Sequence, residues 1–351
     1  VILALVHIVW QLHQHTETEQ IANLGIKGIF KLGNRHKLSV GTEYIVDVLK
    51  SQTDNIAKED AYTLALFAQD EIKLLRNLQA LIGVRYIYHE NFKNHATPNV
   101  ALMYKPGKFN FRASYAAGFR TPTLSELYAT DIAKKNDRLT IGNLDLKPEK
   151  NNYFSLSAEY VHERFSVSVN AFYNNIRDMI DYNTIATGDK AMEQYGHKEV
   201  RQRDNIAEAK VHGINVSANA YLGAGFNLSG GYTHLNTQDV ELEQPIDKSI
   251  KNAYNINAQW AHSWKIYRLN INLNGRINSK RFSKSYGYAP EYQLWDLNTR
   301  HSFNLKSVII EPGFGMENLF DYMDDRPYNS NYATLTPGRS FYISLSLKFK
   351  S

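Results

Sequence analysis

The chain has 351 residues and a formal net charge of +5, with 23 tyrosines, 16 phenylalanines, 4 tryptophans and no cysteine. The missing cysteine excludes disulfides, thiolate metal sites and cysteine nucleophiles, and the interspersed lysines and acids leave no basic block of the kind that tracks nucleic acid. No run of 18 apolar residues exists, so no helix is expected to cross a membrane; a β-barrel, whose strands carry one apolar face each, stays open.

The one dense apolar run is the first, Val1 to Trp10, and it is too short for a spanning helix. It starts without Met and without a signal-peptide pattern, as expected of a processed chain or a fragment. Beyond it, apolar and polar residues alternate. Phe165, Val167, Val169, Ala171 and Tyr173 oppose Ser166, Ser168, Asn170 and Asn174; Ile214, Val216, Ala218, Ala220 and Leu222 oppose Asn215, Ser217, Asn219 and Tyr221. Leu269, Ile271, Leu273, Gly275 and Ile277 oppose three asparagines and Arg276, and Phe341 to Phe349 repeats the pattern. Period two over eight to ten residues predicts strands with one apolar and one polar face. About fifteen strands are expected, starting near residues 22, 36, 61, 78, 97, 108, 150, 164, 203, 225, 252, 267, 291, 308 and 339, with Val1 to His15 as the remnant of another.

The connections decide between a sandwich and a barrel. Short turns are expected at Leu32–Arg35, Arg76–Asn77, Pro106–Lys108, Glu163–Arg164, Gly223–Gly225, Lys265–Tyr267 and Leu305–Ser307. Long loops are expected near 50–60, 89–97, 119–149, 184–202, 239–251, 281–291 and 322–338, in strict alternation with the short turns. A Greek-key sandwich has no reason to sort its loops by length. A soluble barrel of this size would expose its apolar exterior to water. The fold class is therefore all-β, a transmembrane antiparallel barrel, with short turns periplasmic and long loops extracellular. The tyrosines suit aromatic girdles at the two interfaces. An odd strand count argues that strands are missing upstream.

The longest interruption runs from Gly118 to Tyr160. It carries Phe119-Arg120-Thr121-Pro122 and then Asn143-Leu144-Asp145-Leu146. Pro122 ends a strand ladder because it has no N–H, and Arg120 can pair with Glu126 or Glu149 to brace the base of the loop.

In these motifs the chain resembles the TonB-dependent outer-membrane receptors. Phe67-Ala68-Gln69-Asp70-Glu71 is similar to the family's early-strand motif. Ser114 to Pro122 with Leu124, Glu126, Leu127 and Tyr128 is similar to its central box, and Leu146-Lys147-Pro148-Glu149 to the re-entry into the next strand. Glu317 to Asp321 and Thr336 to Arg339 resemble the last hairpin. The resemblance implies a barrel of about 22 strands around an N-terminal plug, of which residues 1–351 would be a partial barrel without plug or first strands. It also implies uptake of a scarce metal chelate, driven through the TonB complex. The paired FRTP and GNLDL boxes are most like those of the haem/haemin receptors of Bacteroidetes-type bacteria, in which the boxes flank an iron-ligating histidine. Here Thr123 to Gly142 holds no histidine but offers Tyr128, Asp131, Asp137, Lys134, Lys135 and Arg138.

Tyr128 is either a haem-iron ligand or a packing residue. The other ligand candidates are His89 and His95 in one expected loop, Tyr195 and His197 in another, and Tyr286 and Tyr328 in later ones. Tyr288, Tyr292 and Tyr332 would add to an aromatic rim. Arg201, Arg203, Lys280, Arg281 and Lys284 would attract an anionic chelate or lipopolysaccharide phosphate. No GxSxG, HExxH, P-loop or strand-following GxGxxG is present, so no enzyme is expected. The expected function is energised uptake of haem or another ferric chelate such as a siderophore, with no intrinsic cofactor. The alternatives are a cobalamin receptor of the same fold, which the acidic pair Asp324-Asp325 would favour, and a passive porin or adhesion barrel. Expected partners are the TonB complex, outer-membrane lipid and a surface lipoprotein.

Overall fold

A computed structural model describes residues 5–12, 17–51, 56–134, 136–283, 287–324 and 336–350. The chain runs through β1 (Leu5–Leu12), β2 (Glu17–Leu32), β3 (His36–Ser51), β4 (Ile56–Leu75), β5 (Leu78–His89), β6 (Lys93–Tyr104) and β7 (Phe109–Arg120). The interruption holds α1 (Leu124–Tyr128), β8 (Thr130–Ala133) and β9 (Arg138–Ile141). Then come β10 (Glu149–Val161), β11 (Phe165–Thr187), α2 (Gly188–Tyr195), β12 (Glu199–Gly223), β13 (Phe226–Asp239), β14 (Asn252–Trp264) and β15 (Tyr267–Asn278). The short strands β16 (Arg281–Ser283) and β17 (Gly287–Ala289) precede β18 (Tyr292–Asn304), β19 (Val308–Glu317) and β20 (Ser340–Phe349).

Eighteen of these strands form one sheet. Each long strand pairs antiparallel with the next in sequence, from β1–β2 onward to β19–β20, with β7 meeting β10 across the interruption. Among the described residues β1 and β20 do not pair with each other, so the sheet is an open wall. Every expected strand start falls in one of these elements or one residue before it, and β1 lies in the expected remnant. Two expected loops are corrected. The connection near 50–60 is only the four positions between Ser51 and Ile56, which are register partners. The connection near 89–97 is only Glu90 to Phe92, because β5 and β6 stay paired as far as His89↔Lys93 and Lys93 takes a left-handed φ of 60°. Loop lengths therefore do not alternate strictly. The 184–202 connection is largely strand and α2, the 281–291 connection holds the β16–β17 hairpin, and residues 325–335 of the last one lie outside the described residues.

The two faces differ as period two requires. On one face stand Leu64, Leu66, Ile82, Val84, Val100, Leu102, Leu156 and Ile214, all exposed, Leu156 to 63%. Each such side chain would lose about 1.5–3 kcal/mol of burial in water, so this face belongs against lipid. Rings flank the apolar band at both ends. At the long-connection end Tyr62 lies 6.1 and 6.0 Å from Tyr44 and Tyr88, Tyr115 4.9 Å from Phe154, and Tyr232 4.7 Å from Tyr254. At the short-turn end Tyr160 lies 4.8 Å from Phe109, and Tyr267 lies 5.6 and 5.0 Å from Trp264 and Phe303. From Phe154 to Tyr160 the strand advances about 20 Å, close to the height of the apolar band of a membrane barrel.

The opposite, inner face is polar and cross-linked by side chains. Ser114 meets Ser155 at 2.6 Å, Ser168 meets Ser217 at 2.7 Å, and Asn257 donates to Asn272 and Asn274. Arg85 pairs with Glu43.

Candidate functional site

β7 ends at Arg120, and Pro122, buried and without an N–H, turns the chain off the ladder. Thr123 then caps α1 in a reciprocal capping box: its hydroxyl accepts from the Glu126 amide at 3.1 Å, and its own amide donates to Glu126 Oε2 at 2.9 Å. Arg120 Nη1 donates to the same Oε2 at 2.9 Å, while Arg120 Nε donates to Glu149 Oε2 at 2.8 Å and Nη2 to the other oxygen. Glu149 is also the register partner of Arg120 and accepts the Ile180 amide at 2.9 Å. One guanidinium thus joins the end of β7, the start of α1, the start of β10 and the bulge in β11. The Glu126 and Glu149 side chains are only 13% and 16% exposed. The bond to Glu149, then that to Glu126, holds the Arg120 pKa above its ordinary value. Burial alone would raise Glu149, but the hydrogen bonds from Arg120 and the Ile180 amide outweigh it and keep the carboxyl below its usual range.

α1 folds inward. Leu124 packs on Leu49, Ile56 and Ala61, and Ala61 has the parity of the inner face of β4. Leu127 packs with Leu146 and Ile180, with Phe92 and Tyr128 against them. The return strand passes so close that a Cβ on Gly142 would lie 2.5 Å from the Leu127 carbonyl oxygen. Asn143 Oδ1 accepts the Asp145 amide, and its Nδ2 donates to the Arg203 carbonyl at 2.9 Å. Asn205 of β12 clasps the same segment: its Oδ1 accepts the Lys147 amide, and its Nδ2 donates to the Lys147 and Asp178 carbonyls. Leu144 points out at 67% exposure, whereas Leu146 is buried and Pro148 half-buried. Phe119 stacks on His95 with centroids 3.9 Å apart. Thr121 is a half-buried link to Pro122.

A second loop locks onto the first. β8 and β9 form a hairpin, and β9 lies parallel to the start of β12. His197 Nδ1 donates to Asp137 Oδ1 at 2.9 Å, and the Lys198 amide donates to the Asp137 carbonyl. The His197 bond holds the Asp137 carboxyl below its usual range. Arg201 pairs with Glu199, and the Arg203 guanidinium lies 3.7 Å from the centre of the Tyr182 ring. Arg138 Nε is enclosed without an acceptor among the described residues.

The ligand candidates from the sequence are not brought together. His89 and His95, expected in a loop, are strand residues with partners. His89 is 4% exposed, accepts the Asn91 amide at Nδ1 and tilts against Phe92; His95 donates from Nε2 to the Phe92 carbonyl at 2.9 Å. Tyr128 is half-buried between the two α1 clusters, and burial, then Glu59 and Glu90, push its hydroxyl pKa up. Tyr195 ends α2 half-buried, and His197 is taken up by Asp137. Tyr286 and Tyr328 lie outside the described residues, as do Lys135, Lys284, Asp325 and Tyr332. Among the described residues no group of three or more His, Asp or Glu could hold a metal ion. Sequence reasoning missed Phe92, Ile180 and Asn205. None carries a local signal, since each acts on residues remote in sequence. In the last hairpin, Asn318 donates to the Tyr322 and Pro337 carbonyls, and Asp321 accepts the Arg339 amide, so those two motifs hold each other.

With this geometry the chain can be set beside known proteins. A family model described as TonB dependent receptor-like, beta-barrel, matches residues 10–319. A mutant form of the ferric enterobactin receptor of Pseudomonas aeruginosa is similar with a TM-score of 0.78 at 19% identity, covering 96% of this chain and 54% of that one. The siderophore receptor of Acinetobacter baumannii gives 0.75 at 16% identity, covering 95% and 55%. A copper transporter gives 0.69 at 12%, covering 94% and 56%. At these identities the likeness is one of fold, and the chain spans about half the length of the solved structures it matches.

Proposed function

The chain belongs to the TonB-dependent receptor family of outer-membrane β-barrels, and on that premise we propose that it forms wall and mouth of a receptor for energised uptake of a ferric chelate. The long connections face the exterior and the short turns the periplasm. The TonB complex engages the protein through parts outside this chain. The protein is a transporter, not an enzyme.

The observation that carries the reading is the inward fold of α1, pinned by Arg120 and Asn205, which sets a structured loop over the inner face. For the cargo, a chelate that brings its own iron ligands, of the siderophore kind, fits better than haem. His89, His95 and His197 each give one ring nitrogen to a protein partner, and among the described residues no three ligating side chains gather. Arg203 on Tyr182, in contrast, offers a cation and a ring to an anionic aromatic chelate. The names of two of the similar structures point the same way.

The test uses the full-length protein in an iron-starved, receptor-deficient strain given a ferric catecholate siderophore, haemin or, under cobalamin limitation, cobalamin. Growth on the siderophore that disappears when TonB is deleted is the expected result. Growth on haemin alone returns the cargo to haem, and growth independent of TonB removes the energised reading in favour of a passive pore.

A further inference from the structure

The charged groups of the inner face are largely paired, as Arg85 with Glu43 and Arg120 with Glu126 and Glu149. On the opposite, lipid-facing side one pair of cations is not, and a third cation flanks it. Lys150 of β10 and Arg177 of β11 are register partners, directly across the ladder from each other. Lys210 of β12 is opposite Asn175, which faces Asn152 in the neighbouring row. The β10–β11 ladder runs without a register shift from the exposed apolar residues Phe154 and Tyr173 to this pair, and the β11–β12 ladder likewise from Ile214 to Lys210. Period two therefore puts all three cations on the lipid side. Tyr115 of the aromatic belt donates to Asn152 Oδ1 at 2.8 Å, so this outward row continues unbroken past the belt.

Lys150 and Arg177 are exposed, and among the described residues neither makes an ion pair. Lys210 makes a long, exposed ion pair with Glu208 at 3.9 Å. Like charges directly opposite on a ladder repel, so an anion between or above the pair would stabilise it. Its height says which anion. Lys210 lies two residues and Lys150 four residues past the level of the belt, about 7 to 13 Å along the strands. That is the headgroup layer just outside the hydrocarbon, within reach of snorkelling lysine and arginine side chains.

We infer that Lys150, Arg177 and Lys210 form a binding site for the phosphate of an anionic membrane lipid in the leaflet at the long-connection end. The inference depends on the apolar rows facing lipid and not on which cargo the receptor carries. The occupant is a lipid rather than free phosphate because the cations continue the lipid-facing rows and open sideways, away from the lumen.

The test is native mass spectrometry of the full-length protein in phosphatidylethanolamine nanodiscs containing phosphatidic acid. The variant K150Q/R177Q/K210Q should retain phosphatidic acid about tenfold less well than the wild type, more so at low salt. The charge-keeping variant K150R/R177K/K210R should retain it. Removing the same charge from the inner face near the short turns, as K31Q/K73Q/R112Q, should leave retention unchanged; these three side chains line a cavity there. Equal retention by wild type and K150Q/R177Q/K210Q overturns the inference, as does equal loss in the inner-face variant. Displacement of the lipid by millimolar inorganic phosphate would make the site one for free phosphate and also overturn it.

Discussion

Arg120 and Glu149 face each other as register partners at the last pair of the β7–β10 ladder and are joined by two hydrogen bonds. Because Arg120 also binds Glu126, the pair fixes the direction in which the chain leaves the sheet and the direction in which it returns. Replacing Arg120 by alanine strands two largely enclosed carboxylates. After allowing for the exposure of the arginine, the expected loss is about 1–3 kcal/mol. Hydrogen exchange should show it in residues 121–148 and not in the β13–β15 hairpins. Exchange of Arg120 and Glu149 (Arg120→Glu with Glu149→Arg) should restore little, since Glu126 would then face a glutamate.

The same pair sets a pH dependence. The Glu149 carboxyl in the fold titrates below its ordinary value of 4.5, so the unfolded segment binds the proton more readily than the folded one. Its contribution is complete above that ordinary value and is lost as pH falls through the lower, folded-state pKa. Asp137 behaves in the same sense from its ordinary 3.8. Protection of residues 121–148 should therefore be flat from pH 7 to 5 and fall below about 4.5. In Arg120→Ala the Glu149 part of that dependence should be lost.

Gly142→Ala drives a methyl against the Leu127 carbonyl oxygen, which the short helix cannot move without losing its seat on Leu146 and Ile180. A loss of about 1–3 kcal/mol in this loop is expected. Limited proteolysis should cut within 121–148 faster than in the wild type. Gly33→Ala is the control for backbone strain alone, since its left-handed φ of 62° opens onto free space.

Asn205→Ala removes the bonds to both backbone groups of Lys147 and to the Asp178 carbonyl. Leaving these groups unpaired should cost about 1–3 kcal/mol and loosen residues 143–148 while the strands stay protected. Hydrogen exchange separates the two regions. If siderophore affinity also falls, the clasped loop takes part in holding the cargo.

Replacing His89, His95 and His197 together by glutamine should leave ferric siderophore affinity within about threefold of wild type, since each of the three rings is held by a protein partner and a siderophore brings its own iron ligands. Calorimetric titration measures this directly. A large loss for the siderophore would contradict the assignment of these rings to structural partners.

Period two, the seven short turns and the lipid-facing rows were legible in the sequence because strand alternation and tight turns depend on residues a few positions apart. The Arg120–Glu126 bond belongs to the same local class, whereas the capping box of α1, equally local, was not read. The length of the 89–97 loop was misread because polar residues that continue a strand past the membrane look like loop. What the sequence left open was the mouth itself. Asn143 reaches Arg203 and Asp137 meets His197 across 60 positions, and Asn205 clasps Lys147 across 58. Likewise Lys150 and Arg177 become one charged pair only when β10 and β11 take their register. Such contacts have no spacing rule, since they depend on which strands stand side by side and how far each projects. That depends on the whole sheet, so only the tertiary structure decided which loop residues are braces, which are occupied and which remain available to a partner.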